Sequence, residues 1–101
     1  SDTECMICHK SNDKPIPIGI KPQNLNHSIS YPNGQTKNQI THFKDLGWLS
    51  VNTPTPSLNA VNYKDAQQPL EMRVRSYLDI NCAHCHRSDS HCDYRPIRLA
   101  L

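Results

Sequence analysis

Two short stretches of this chain, Cys5-Met6-Ile7-Cys8-His9 and Cys82-Ala83-His84-Cys85-His86, repeat one pattern: two cysteines with two residues between them and a histidine directly after. This is the spacing at which a polypeptide takes up haem covalently. Two thiols three positions apart on a helical turn can each add to one of the two vinyl groups on one edge of a porphyrin. The next residue then presents its imidazole beneath the ring as the proximal iron ligand. The pattern predicts two haem c groups, one held by Cys5 and Cys8 with His9 on the iron, the other by Cys82 and Cys85 with His86 on the iron.

Other uses of paired cysteines fit the spacing less well. Structural zinc sites separate their pairs by about 15–20 residues, whereas 73 residues lie between Cys8 and Cys82. A thioredoxin-like redox centre needs one such pair in a βαβ setting, and these two pairs stand in Pro- and Asn-rich surroundings. The fifth cysteine, Cys92, makes the count odd, which disfavours a closed disulfide framework. Cys92 is left with two readings, a buried free thiol or an intermolecular disulfide.

What an attached iron does depends on its second axial position. An open position permits oxygen, peroxide or nitrogen-oxide chemistry, and a second protein ligand leaves electron transfer as the main use. The histidines outside the proximal positions are His27, His42, His84 and His91, and the thioethers are Met6 and Met72. His84 and Met6 sit inside their own attachment loops, which aims them away from the local iron and leaves His84 as a hydrogen-bonding or surface residue or a ligand to a neighbouring molecule's haem. His91 follows His86 too closely to wrap around the same ring and is left to reach haem one or another subunit, and Met72 falls on a different helical face from Leu70 and Val74. His27, beside Leu25 and Ile29, and His42, on a stripe with Leu46 and Leu49, remain as the candidate distal ligands, without an assignment to either haem. Bis-histidine ligation sets potentials below those of His/Met cytochromes.

The elements that must carry these residues are sparse. Lys14-Pro15-Ile16-Pro17-Ile18-Gly19-Ile20-Lys21-Pro22 is extended by its prolines, and Tyr31-Pro32-Asn33-Gly34 is a turn. Thr36-Lys37-Asn38-Gln39 has the form of a capping box and Gly47 that of a carboxyl-terminal cap, predicting a helix over about 37–46. Residues 50–69 read as a linker or an irregular wrapping segment. A second helix over about 70–81, with Pro69 at its first turn and Leu70, Val74, Tyr77 and Leu78 as its apolar stripe, runs directly into Cys82.

Composition agrees with a chain folded around something other than its own side chains. The 101 residues include eight prolines, one Phe and one Trp. With glycine counted and tyrosine left out, about a third are apolar, where a globular domain has roughly 45–50%. Small scaffolds of this kind need a staple, and two porphyrins supply the missing apolar mass. The expected fold is mainly irregular with a few short α-helices, a small multihaem cytochrome-like domain over residues 1–101 organised around covalent haems. The formal charge of +2, mixed along the chain, offers no stripe for nucleic acid. Four propionates and two ferric centres would bring it to about zero, and reduction to about −2. No apolar run is long enough for a transmembrane helix or a secretory leader.

The paired motifs resemble those of multihaem c-type cytochromes. The segment Arg75-Ser76-Tyr77-Leu78-Asp79-Ile80-Asn81-Cys82-Ala83-His84-Cys85-His86 is similar to the attachment segment of a group of exported bacterial haem proteins, and Pro22-Gln23-Asn24-Leu25-Asn26, Asn38-Gln39 and Leu46-Gly47 extend that likeness along the chain. Some members are joined to sugar-dehydrogenase-like modules. The expected function is one-electron transfer by two haems, with redox proteins or extracellular acceptors as partners. The alternatives are a dihaem peroxidase or the electron-accepting domain of a larger dehydrogenase. Exposed haem edges predict self-association, at the limit a head-to-tail conducting filament. Thioether attachment occurs outside the cytoplasmic membrane, which predicts a processed chain in the periplasm or at the cell surface.

Overall fold

The computed structural model describes every residue, Ser1–Leu101, and divides the chain into two compact units: Ser1–Gly19 with Ala60–Leu101, and Ile20–Asn59. The chain is largely irregular, with short helices and two two-stranded antiparallel sheets. No helix is long and apolar enough to cross a membrane.

The first unit begins with α1 (Asp2–Cys8), a helix the sequence reading did not place. A capping box starts it: Ser1 Oγ accepts from the Glu4 amide, and the Glu4 carboxylate accepts from the Ser1 nitrogen at 2.7 Å. Those two partners, the Ser1 nitrogen first and its hydroxyl second, hold the Glu4 carboxyl below the usual carboxylate range. After His9, β1 (Lys10–Ser11) and β2 (Lys14–Pro15) pair in register Ser11 with Lys14. Asn12 and Asp13 form the two-residue loop with φ of 49° and 58°. Two consecutive positive φ values define the turn whose twist matches a hairpin, and Asn and Asp tolerate them best after glycine.

The last helix of the unit is α4 (Leu70–Asn81), which agrees with the expected 70–81. Its orientation is the unexpected feature. The side chains it buries completely are Ser76 and Asp79, both at 0% exposure, while Leu70, Val74 and Tyr77 stand 69%, 48% and 46% exposed. The buried polar groups are satisfied: Ser76 Oγ accepts from the Val61 amide at 2.8 Å and Asp79 Oδ1 from the Leu101 amide at 3.0 Å. The segment before the helix is thus bonded to it at Val61 and contributes the buried Ala60, so of the two expectations for this stretch, residues 60–61 fit the wrapping segment. The other buried apolar residue here is Ala83, so no large hydrophobic side chain is buried in this unit.

In the second unit, α2 (Pro22–Leu25) starts at a proline in the position where a missing N–H costs nothing. The Tyr31–Gly34 turn closes a hairpin of β3 (Ser28–Ser30) and β4 (Thr36–Asn38), with Gly34 at φ +82°. The expected capping box at Thr36 does not form, because Thr36 is paired with Ser30 in the sheet. Asn38 caps α3 (Gln39–Asp45) instead, its Oδ1 accepting from the amides of Ile40 and Thr41. The helix is therefore shorter than the expected 37–46 at its start, and Gly47 at φ +73° ends it as expected. Ile40 is the buried apolar residue of this unit.

Candidate metal and haem centre

Both CxxCH motifs belong to the first unit, and each lies where a helix ends. Cys5 and Cys8 are one turn apart on α1 and exposed, and His9 is its carboxyl-terminal cap. The hairpin that follows returns Ile16 to His9. The Ile16 amide donates to the His9 carbonyl at 3.1 Å, and the Ile16 carbonyl lies 3.0 Å from His9 Nδ1. A carbonyl oxygen only accepts, so Nδ1 carries the hydrogen of the bond. In the neutral ring this leaves the lone pair on Nε2, the arrangement that orients and strengthens a metal-binding imidazole.

At the second motif the helical bonding of α4 continues past its end. The Cys82 and Ala83 amides donate to Leu78, and the Cys85 and His86 amides to Cys82, which winds the motif into a turn. Cys82, His84, Cys85 and His86 are half-buried, and Ala83 is buried. His86 Nδ1 is buried without a hydrogen-bond partner. The loop beyond is folded back by the Cys92 amide donating to the Cys85 carbonyl at 3.1 Å, and tied to the first hairpin by the Asn12 amide donating to the Asp89 carbonyl at 2.9 Å.

The fold brings the two motifs together. The ligand atoms of Cys8, His84 and Cys85 all lie within 4.8 Å of one another. The Cys85 thiol also approaches the Ile7 carbonyl at 3.5 Å. Burial, first, and the neighbouring thiols of Cys8, Cys92 and Cys82 push the Cys85 thiol up, because a thiolate there would be both desolvated and repelled. All five cysteines are free thiols. The place of His84 in this group had no signal in the sequence, since it depends on contact between segments far apart in the chain.

The candidate distal ligands both lie in the second unit. His27 is half-buried between α2 and β3, its backbone carbonyl accepting from the Gln39 amide. His42 is half-buried on α3 and packs its ring 3.9 Å from that of Tyr31, with Phe43 at 6.3 Å. On the expected stripe with His42, Leu49 is half-buried and Leu46 exposed. His91 is exposed, and Met6 and Met72 are half-buried.

Compared with protein-family models, curated proteins and solved structures, the chain matches none of them.

Proposed function

We propose that this chain is a dihaem c-type electron carrier, with haem one on Cys5, Cys8 and His9 and haem two on Cys82, Cys85 and His86. The observation that carries the reading is the His9 Nδ1–Ile16 carbonyl bond, which presents Nε2 as a ligand one residue beyond a helical CxxC pair. The residues fit the group in other respects. The thiols are free, as addition to a vinyl group requires. In that addition a sulfur–carbon bond forms, the vinyl double bond is consumed, and the thiol hydrogen goes to the adjacent carbon, so no oxidant is needed. The haem supplies reversible one-electron chemistry. The chain positions it, limits its contact with water and tunes its potential through the hydrogen bond on His9.

His27 and His42 are the proposed second axial ligands, and closed irons favour transfer over peroxide chemistry. Thioether attachment implies an exported chain that meets redox proteins or an extracellular acceptor, and exposed haem edges favour self-association. Mass spectrometry and visible spectroscopy of the chain produced in a host that attaches haem provide the test. Two haems per chain and a sharp α-band on reduction are expected. Cys5→Ser/Cys8→Ser and Cys82→Ser/Cys85→Ser should each lose one haem. Removing a true distal histidine should convert one iron to high spin and open it to carbon monoxide. A chain without a Soret band refutes the proposal.

A second reading is favoured by the convergence of Cys8, His84 and Cys85, a donor set suited to a soft cation such as zinc. The sequence distance between the CxxC pairs no longer counts against it, since the fold closes that distance. The two readings exclude one another at Cys8 and Cys85, because a sulfur alkylated by a vinyl group is no longer a thiolate. One haem-free, zinc-loaded preparation from the same host would select this reading.

A further inference from the structure

The groove beside α4 is lined by Tyr63, Leu70, Arg73, Val74, Tyr77 and Leu78 and has a volume of about 320 Å³. Its lining includes the apolar stripe of a helix that buries and bonds Ser76 and Asp79, which leaves Leu70, Val74 and Tyr77 facing outward. Tyr77 meets Tyr63 edge to face with ring centroids 5.2 Å apart, which makes part of the lining aromatic. One turn before Tyr77 on the same helix, Arg73 uses its Nε donor on the Tyr63 carbonyl at 2.8 Å, and Lys64 lies beside Tyr63 with its ammonium 5.8 Å from the ring centre.

We infer that this groove seats the haem attached at Cys82 and Cys85, and that Arg73 is the positioning residue for its propionates. The inference rests on the dihaem reading. Three observations select this occupant. The groove ends at Leu78, one helical turn before Cys82, whose amide donates to the Leu78 carbonyl. Arg73 lies nine residues before Cys82, about 13 Å along a helix rising 1.5 Å per residue, a distance comparable to the span of a porphyrin from vinyl edge to propionate edge. The charges also match: an apolar floor ends at guanidinium and ammonium groups, and the porphyrin ends in two carboxylates. Arg73 keeps its remaining guanidinium donors for such an acceptor.

A cation near the propionates stabilises the reduced haem, which carries one more negative charge than the oxidised form. Arg73→Gln should therefore lower the potential of one haem and leave the other unchanged, and Arg73→Lys should restore most of the difference. In the reduced protein, the methyl resonances of Val74 and Leu78 should show ring-current shifts that vanish in Cys82→Ser/Cys85→Ser and persist in Cys5→Ser/Cys8→Ser. Spectroelectrochemistry and methyl NMR of the haem-loaded chain give these readouts independently of any activity. Two attached haems with unshifted Val74 and Leu78 methyls, or with both potentials unmoved by Arg73→Gln, would overturn the seat and leave the dihaem reading standing. A chain that carries no haem by mass overturns both.

Discussion

Ser76→Ala is expected to destabilise the chain more than Val74→Ala, although both are small changes on α4. Ser76 has no exposed surface, and its hydroxyl is the acceptor for the Val61 amide at 2.8 Å. Its removal leaves a buried N–H without a partner, at a cost of about 1–3 kcal/mol. Val74 is 48% exposed, so about half of its surface is already wet. At about 0.8 kcal/mol for each buried methylene-sized group, losing its two methyl carbons costs about 0.8 kcal/mol. Alanine raises helix propensity at either position by a similar few tenths of a kcal/mol, so that gain leaves the comparison intact. Urea titration of the haem-free chain, made in a host without haem attachment, measures both through the midpoint at unchanged slope. With haem seated on α4, the cost of Val74→Ala should rise toward about 1.6 kcal/mol as its remaining surface is covered, while that of Ser76→Ala stays the same. If Val74→Ala costs as much as Ser76→Ala in the haem-free chain, the helix buries its apolar side, and the orientation on which the haem seat depends is wrong.

Ile16→Pro removes the amide that donates to His9 and shifts the carbonyl that receives Nδ1; the less basic imidazole should raise the potential of haem one alone in spectroelectrochemistry, and equal shifts of both haems would contradict its role as a local tuning group. Asn38→Ala leaves the Ile40 and Thr41 amides without their cap and should cost about 1 kcal/mol, visible as faster hydrogen exchange along α3. The depressed carboxyl of Glu4 stabilises α1 above the ordinary carboxylate pKa, and that contribution fades as pH falls through the lowered folded value. Amide protection in α1 should follow this curve, and Glu4→Gln should abolish it; an unchanged pH profile in the variant would assign the loss to other groups.

The elements that could be read from sequence are those set by local signals. The span of α4 follows from Pro69 and the apolar spacing after it. The end of α3 follows from Gly47, whose positive φ suits glycine. The start of α3 differs from the expected 37 because two local signals compete: Thr36 has a capping pattern, but strand pairing with Ser30 claims it and leaves the cap to Asn38. Helix α1 is signalled only by the Ser1–Glu4 capping box, and the first hairpin has a weak signal because Asn12-Asp13 lacks the glycine that marks such turns most plainly. That hairpin is what returns the Ile16 carbonyl to His9.

Sequence alone determined the two CxxCH motifs, the shortage of apolar residues and the helix that leads into Cys82, because spacing, composition and periodicity are properties of the chain itself. Only the tertiary structure decided that Cys8, His84 and Cys85 converge and that α4 turns Ser76 and Asp79 inward. A hydrophobic stripe shows which side of a helix is apolar but not which side is buried. Here the satisfied hydrogen bonds of Ser76 and Asp79 offset the cost of burying polar groups, which leaves Leu70, Val74 and Tyr77 of α4 outward, on the helix that leads into the second CxxCH motif.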